Sequence, residues 1–205
     1  VIVELVLATR NRHKGEELMA LLGDLGIRIR TLADFPEAPE VEEDGLTCEA
    51  NAIKKATEIS RATGLTAVAD DTGLEVDALG GRPGVYSARY AGEEATYEDN
   101  CNKLIRELSG VPREQRTARF ITVAAIAVPG EPVQVARGVL EGCITESPVG
   151  SGGFGYDPVF YVPELHATLA EISADRKNRI SHRAKAFLQA KELLRARQSE
   201  NIVGA

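Results

Sequence analysis

Tryptophan is absent from this chain of 205 residues, and the other aromatic residues are few, five Phe and five Tyr. Any ring placed outside a core is therefore informative. Cysteine is scarcer still. Cys48, Cys101 and Cys143 are odd in number and far apart, which argues against a disulfide framework or a zinc site and fits a reducing cytoplasm. The three histidines, His13, His166 and His182, are scattered, with no H-x-x-x-H pair. Long apolar runs are missing too. The longest, Phe120 to Val128, is broken by Thr122 and falls far short of the roughly 20 residues that a membrane span needs. Positive charge is not in excess either. The formal net charge is −7, whereas non-specific nucleic-acid binding needs a basic footprint. No G-x-x-x-x-G-K-[ST] phosphate loop, signal peptide, repeat or low-complexity tract is seen.

What is present is the makeup of an ordinary soluble globular protein, 43% hydrophobic and 27% charged. The length suits one domain, or one domain with two lobes, and is enough for a proper core. Apolar periodicity and turn signals predict a strand over 2–8, a helix over 14–23 and a strand over 27–32. An acidic loop, Glu37 to Asp44, then leads to a helix over 48–62 that Gly64 stops. A strand over 66–70 precedes a Gly-rich turn. Thr96 and Asp99 form a capping-box-like start to a helix over 97–109. Strands over 117–128 and 133–145 read as a hairpin through Pro129-Gly130-Glu131-Pro132. A strand over 158–162, a short helix near 168–174 and a long final helix complete the chain. The opening βαβ unit suggests parallel pairing and the hairpin adds antiparallel strands. The expected fold is α/β, a mixed central sheet flanked by helices.

Four clusters carry chemistry. The first is Gly150-Ser151-Gly152-Gly153-Phe154-Gly155-Tyr156-Asp157, followed by Pro158. Its glycines allow a sharp bend or a close approach, and two rings and a carboxylate sit on it. It reads equally as a face for stacking a flat ligand such as a nucleobase, or as a tight surface turn with Phe154 tucked inward. The second is Asp70-Asp71-Thr72-Gly73, at the end of the apolar Ala67-Val68-Ala69. Adjacent carboxylates alternate faces, so at most one is expected to point inward, leaving the other for a ligand or metal. The alternative is an acidic turn.

The third cluster, Thr9-Arg10-Asn11-Arg12-His13-Lys14, joins an apolar strand to a helix with Leu18, Leu21, Leu22 and Leu25 on one face. A helix N-terminus with a nearby Lys is an anion site. Capping by Thr9 or Asn11 beside a solvated Lys is the plainer account. The fourth is Lys177 with Ser181-His182-Arg183, before a helix bearing Ala184, Phe187, Leu188 and Leu194, where Ser181 is a plausible N-cap. Lys177, His182 and Arg183 are the candidates for an anion at the helix entrance. Lys185, Lys191, Arg195 and Arg197 read as a solvated basic face.

These clusters share their order with a known family. Thr9-x-Asn11-x-x-Lys14, Glu43-Asp44-Gly45, Glu49-Asn51-Ala52, Ala69 to Leu74, Pro83 to Arg89, Gly153 to Pro158 and Ser181-His182-Arg183 appear in sequence. From about Leu5 to about Phe187 the chain resembles the inosine/xanthosine triphosphate pyrophosphatases, the house-cleaning Ham1-type nucleotide hydrolases. The resemblance implies a single domain over 1–205, with two lobes and an active-site cleft between them. It also implies a cytoplasmic, Mg²⁺-dependent homodimer that hydrolyses (deoxy)inosine and xanthosine triphosphates to the monophosphate and pyrophosphate.

By position, the resemblance puts Thr9, Arg10, Asn11, Arg12, His13 and Lys14 in a phosphate pocket. Glu43 and Asp71 would hold the metal, with Asp71 also the proton acceptor. Thr72, Phe154, Gly155, Tyr156, Asp157, Lys177, His182 and Arg183 would bind the substrate. Thr72 replaces the family's usual Ser and keeps the hydroxyl. Arg10 replaces its most frequent Gly, so the turn either changes backbone shape or gains a charge.

The residue chemistry supports this independently of the family. Mg²⁺ is usually held by one or two carboxylates plus substrate phosphates. Phosphoryl transfer is mostly positioning and charge neutralisation, which Lys14, Lys177 and the metal could supply. Glu42, Asp44 and Asp70 are expected to be solvated or structural. A catalytically silent nucleotide-binding module is the rival class, and it would have no use for the Glu43–Asp71 pair. A pyrophosphatase of modified pyrimidine triphosphates is the rival enzyme.

Overall fold

The computed structural model describes residue 2 and residues 4–203, with side chains to residue 198. Its strands are β1 (Glu4–Leu7), β2 (Arg28–Thr31), β3 (Thr66–Val76), β4 (Pro83–Gly84), β5 (Thr117–Ala127), β6 (Gln134–Ile144), β7 (Phe160–Val162) and β8 (Ala167–Thr168). They form one mixed sheet in the order β2-β1-β3-β5-β6-β7-β8, with β4 paired to β3. The helices are α1 (Arg12–Leu22), α2 (Cys48–Thr63), α3 (Tyr97–Glu107), α4 (Ala174–Ile180) and α5 (His182–Val203). The chain divides into two compact units, and the division falls inside β3, β5 and β6.

The first unit comprises Val1–Asp71, Thr122–Gly138 and Arg183–Ala205. Here β1 pairs in parallel with β2 (Leu5 opposite Ile29) and with β3 (Val6 opposite Ala67). Both faces of this parallel core are covered, which is why its strands read as continuous apolar runs. On one face Leu5, Leu7, Val68, Ala124 and Ile126 pack with Leu18 and Leu22 of α1 and Phe187, Ala190 and Leu194 of α5. On the other, Val6, Ala8, Ala67 and Ala69 pack with Ala52, Ala56 and Ile59 of α2. Local chemistry sets the helix ends. The Asn11 side chain accepts from the Lys14 N–H, Thr47 accepts from Ala50, and Gly64 closes α2 at φ 70°.

The second unit comprises Thr72–Ile121 and Val139–His182. Its core gathers Leu74, Val76, Leu104, Leu108, Phe120, Ile144, Tyr156 and Phe160. β7 pairs antiparallel with β6 and β8. Thr96 and Asp99 start α3 with a full capping box, as the sequence predicts.

Most predicted elements lie within a residue or two of the observed ones. The predicted strand 2–8 is observed over Glu4–Leu7, and Val3 falls outside the described residues. Two predictions are corrected. β3 does not end at residue 70 in a turn. It continues through Asp70-Asp71-Thr72-Gly73 to Val76, because Leu74 and Val76 bury in the second unit's core. The helix expected near 168–174 is displaced to Ala174–Ile180. Ser173 caps it by accepting from Arg176, while Ala167–Thr168 pairs with β7 and the Ala170 carbonyl accepts from Gly152.

Candidate active site

Asp70 and Asp71 project to opposite faces of β3, yet both are buried, at 1% and 6% exposure. The expectation that only one could turn inward is therefore corrected. It fails because helices cover both faces, so alternation brings the two carboxylates to two different polar clusters.

On the α2 face, the Asp71 carboxylate accepts from Asn51 Nδ2 at 3.3 Å and lies 3.6 Å from Lys55 Nζ. Lys55 Nζ also donates to Glu43 Oε1 at 2.6 Å. Asn51 and Lys55 lie one turn apart on the buried stripe of α2, so a single helix organises both carboxylates. Burial is the main influence on Asp71 and raises its carboxyl above the ordinary value. Lys55 and Lys14 oppose the rise, and Glu43 and Asp70 reinforce it. Burial would lower the Lys55 ammonium, but Asp71, Asp70 and Glu43 outweigh it and hold the group charged. Beside them, burial and then the Asp71 charge push the Cys48 thiol up to about 12, so it is no nucleophile.

On the α1/α5 face, Asp70 Oδ2 lies 3.3 Å from Lys14 Nζ and 3.3 Å from Arg183 Nε. Arg183, only 2% exposed, also donates through Nη1 to Glu17 at 2.6 Å. Burial alone would raise the Asp70 carboxyl, but Lys14 and Arg183 overcome it and hold the group well below the ordinary range. Of the two roles expected for Asp70, solvated or structural, the structure shows the structural one. Asp44 does stay exposed, paired with Lys54 at 2.7 Å.

The turn from Thr9 to Lys14 reaches this face. Thr9 Oγ1 accepts from the Asn11 N–H at 3.2 Å, and Asn11 Oδ1 accepts from Lys14 N at 3.1 Å. Capping by Asn11 is therefore real, but the Lys14 side chain is largely buried against Asp70 and is not solvated. Arg10 donates to the Ala38 carbonyl at 3.0 Å, which braces the turn against the segment that carries Ala38. Arg12 is exposed and pairs with Glu16, and His13 is exposed.

The second unit holds the remaining candidates. Asp157, 3% exposed, accepts from the Phe154 N–H at 2.8 Å and from Lys177 Nζ at 2.5 Å. Lys177 Nζ also sits 4.6 Å from the centre of the Phe154 ring. A cation, a carboxylate and a ring thus form one assembly. Gly153 permits it, because a Cβ there would come within 2.1 Å of Asp157 Oδ2 at φ 70°. Phe154 is partly exposed, with Tyr97 tilted 6.0 Å away. Tyr156 is not part of an open stacking face. It is 5% exposed, and its hydroxyl donates to the Ser87 carbonyl. The expectation of two rings available on the loop is corrected to one, since the second fills the core beneath it. Gly155 and Thr72 are partly exposed, and the buried His182 ring packs 4.5 Å from Phe120.

Ser181 ends α4 and directly precedes α5. Along α5, Lys185 and Arg195 are exposed as expected, whereas Lys191 is buried, donating to the Leu21 carbonyl and paired with Asp24. Arg197 is partly buried and donates to Gln134 at 2.7 Å. Of the apolar residues named on this helix, Leu188 is 54% exposed.

Lys55 was missed as a site residue. The signal for it exists. Ala52, Lys55, Ala56 and Ile59 recur at the spacing of one helical face, and a Lys inside such a stripe must bury its charge beside an anion.

The model of the Ham1 family matches residues 5–193. The chain is 52% identical over 201 residues to the dITP/XTP pyrophosphatase of Geobacillus kaustophilus, covering 98% of this chain and 96% of that one. It is 51% identical over 193 residues to the dITP/XTP pyrophosphatase of Geobacter sulfurreducens, covering 94% and 97%. Among solved structures, a HAM1 protein from Coxiella burnetii superposes with a TM-score of 0.87 at 41% identity, covering 95% of this chain and 99% of that one.

Proposed function

The chain belongs to the Ham1 family, and from that premise we propose that it hydrolyses the deaminated purine triphosphates dITP and XTP to the monophosphate and pyrophosphate. One observation carries the reading. Glu43 and Asp71 converge on a single cationic position, occupied by Lys55 Nζ. Such a pair suits hydrolysis, which calls for both a metal and a proton acceptor, better than binding alone.

The donor set fits Mg²⁺, a hard cation usually held by one or two carboxylates together with substrate phosphates. Glu43 and Asp71 would hold it, and bound there it would neutralise phosphate charge and polarise the reacting phosphoryl group. The other roles fall to the chain itself. The N-terminal N–H groups of α1 and the Lys14 ammonium favour the phosphates. Asp71, whose burial lifts its proton affinity, accepts the proton of the attacking water. Thr9, Arg10, Asn11, Arg12 and His13 line the phosphate turn, and Thr72 offers its hydroxyl.

In the second unit we assign base stacking to Phe154. Asp157, Gly155 and Tyr156 shape its loop, and Lys177 and His182 are polar groups for the nucleoside. Hypoxanthine and xanthine carry a 6-oxo acceptor where adenine carries a 6-amino donor, so a site of donors favours the deaminated bases. Arg183, assigned to the substrate by resemblance, has its guanidinium against Glu17 and Asp70. We assign it to holding Asp70 and the start of α5.

A homodimer and a cytoplasmic location are further parts of the proposal. Sedimentation equilibrium tests the first. No helix of the described residues is long and apolar enough to cross a membrane.

The deciding assay incubates the protein and Mg²⁺ with dITP, XTP, ATP, GTP and modified pyrimidine triphosphates and identifies both products. Pyrophosphate and a monophosphate from dITP and XTP are expected. Orthophosphate and a diphosphate would reject the cleavage site, a preference for modified pyrimidines would favour the rival enzyme, and no turnover of any substrate would favour the silent binding module.

A further inference from the structure

We propose that Asn51 is a positioning residue that fixes the Glu43 loop against the tip of β3, and so sets the geometry of the carboxylate pair. The inference rests on the reading of Glu43 and Asp71 given above.

The Asn51 side chain is completely buried. Its Oδ1 accepts from the Gly45 N–H at 2.7 Å, and its Nδ2 donates to Asp71 Oδ2 at 3.3 Å. A carboxamide carries its acceptor and its donor on two separate atoms, so it can hold a different partner at each end. One end therefore grips the loop two residues beyond Glu43 and the other grips Asp71.

Gly45 shows how close the grip is. A Cβ there would approach Asn51 Oδ1 to 2.6 Å and the Ala50 Cβ to 2.9 Å. No side chain fits between the loop and the first turn of α2, so Gly45 is required for contact and not for a left-handed turn. The other anchors of the loop lie at the surface, where Asp44 pairs with Lys54 and Thr47 caps α2. Glu42, Asp44, Leu46 and Thr47 are exposed, and Leu46 is 86% exposed. The Lys55–Glu43 ion pair orients the carboxylate but does not fix the backbone that carries it.

Outer partners that orient catalytic carboxylates typically contribute about 10–100-fold to activity or metal affinity. Asn51→Ala, which removes both contacts, is expected to lower kcat/KM for dITP by that factor and to raise amide hydrogen exchange across residues 43–47. Asn51→Asp keeps the acceptor for Gly45 but sets a like charge against Asp71. It should restore the exchange protection without restoring turnover. Gly45→Ala keeps Asn51 and displaces the loop. It should lose turnover and protection with little change in melting temperature, and it decides the question if Asn51→Ala does not fold. Parental kcat/KM in Gly45→Ala, or unchanged exchange over 43–47 in a folded Asn51→Ala protein, would overturn the inference. If the parent itself fails to turn over dITP, the functional reading falls, and the exchange measurements still decide whether Asn51 holds the loop.

Discussion

Asp70 and Asp71 are consecutive residues of one strand whose carboxyl groups are driven to opposite sides of the ordinary carboxylate range. Burial acts on both. Two cations 3.3 Å away overcome it at Asp70, whereas at Asp71 burial wins, with Glu43 and Asp70 adding to it. One carboxylate is a fixed anion within the fold, and the other is the one proposed above as the base.

Exchanging each for its amide should separate the two roles. Asp71→Asn removes the proposed proton acceptor, and loss of a general base alone lowers the rate by about 10²–10⁴-fold. Asp70→Asn leaves Arg183 and Lys14 without their shared anion, which typically costs about 3–5 kcal/mol. Turnover of dITP and urea unfolding of both variants check this. Near-parental turnover by Asp71→Asn at saturating Mg²⁺ would remove Asp71 from the chemistry.

The pH dependence follows from the same shifts. The Asp70 value is lower folded than unfolded, so its contribution is complete above the unfolded value of 3.8 and is lost as pH falls toward the folded one. Parent stability should drop on acidification below about pH 4, and Asp70→Asn should show a shallower drop. Asp71 has the opposite sign. Its value is raised in the folded state, so at neutral pH the ionised group opposes folding, and Asp71→Asn should be at least as stable as the parent there. Urea midpoints measured across pH for the three proteins provide the check.

Arg183→Ala is expected to lower stability and to reduce turnover of dITP and ATP by similar factors, because the guanidinium is committed to Glu17 and Asp70. A loss confined largely to dITP would instead return Arg183 to base recognition. Parallel kcat/KM measurements on the two substrates decide between these.

Gly153 and Gly155 both have positive φ, 70° and 62°, but their surroundings differ. A Cβ at Gly155 meets nothing within 4 Å, so Gly155→Ala should cost only the left-handed penalty of about 1–2 kcal/mol. At Gly153 the Cβ would displace the Asp157 carboxylate and with it Lys177. Gly153→Ala should be the more destabilising and should also raise the KM for dITP. Equal melting temperatures would contradict this.

Much of this architecture was legible in the sequence because local chemistry announces it. Asn11 and Thr96 mark helix starts, Gly64 marks a stop, and the β5–β6 connection is signalled by Pro129 to Pro132. Two site residues gathered by the order of motifs, Lys177 and Asp157, do meet in the structure, whereas Lys14 meets Asp70, to which the sequence assigns only a solvated or structural role. What was hidden depends on tertiary cover. Asp70-Asp71-Thr72-Gly73 carries turn signals, yet burial beyond it keeps the strand going. Tyr156 looks like a loop ring until the Ser87 carbonyl is seen beneath it. Lys191 resembles a solvated helix charge until its partner Asp24 is placed.

The discontinuity of the first unit bears on the order of synthesis. Its parallel core needs Phe187, Ala190 and Leu194 to cover the face formed by Leu5, Leu7 and Val68. Those residues leave the ribosome after every segment of the second unit, which ends at His182. The nascent chain therefore carries a core with one apolar face covered by α1 alone once every segment of the second unit has been made, and the surroundings of Asp70 and Lys14 close only when Arg183 arrives. The second of the two cations at Asp70 is thus among the last groups made, so a translation product truncated before α5 would present a partly uncovered sheet face to chaperones and proteases.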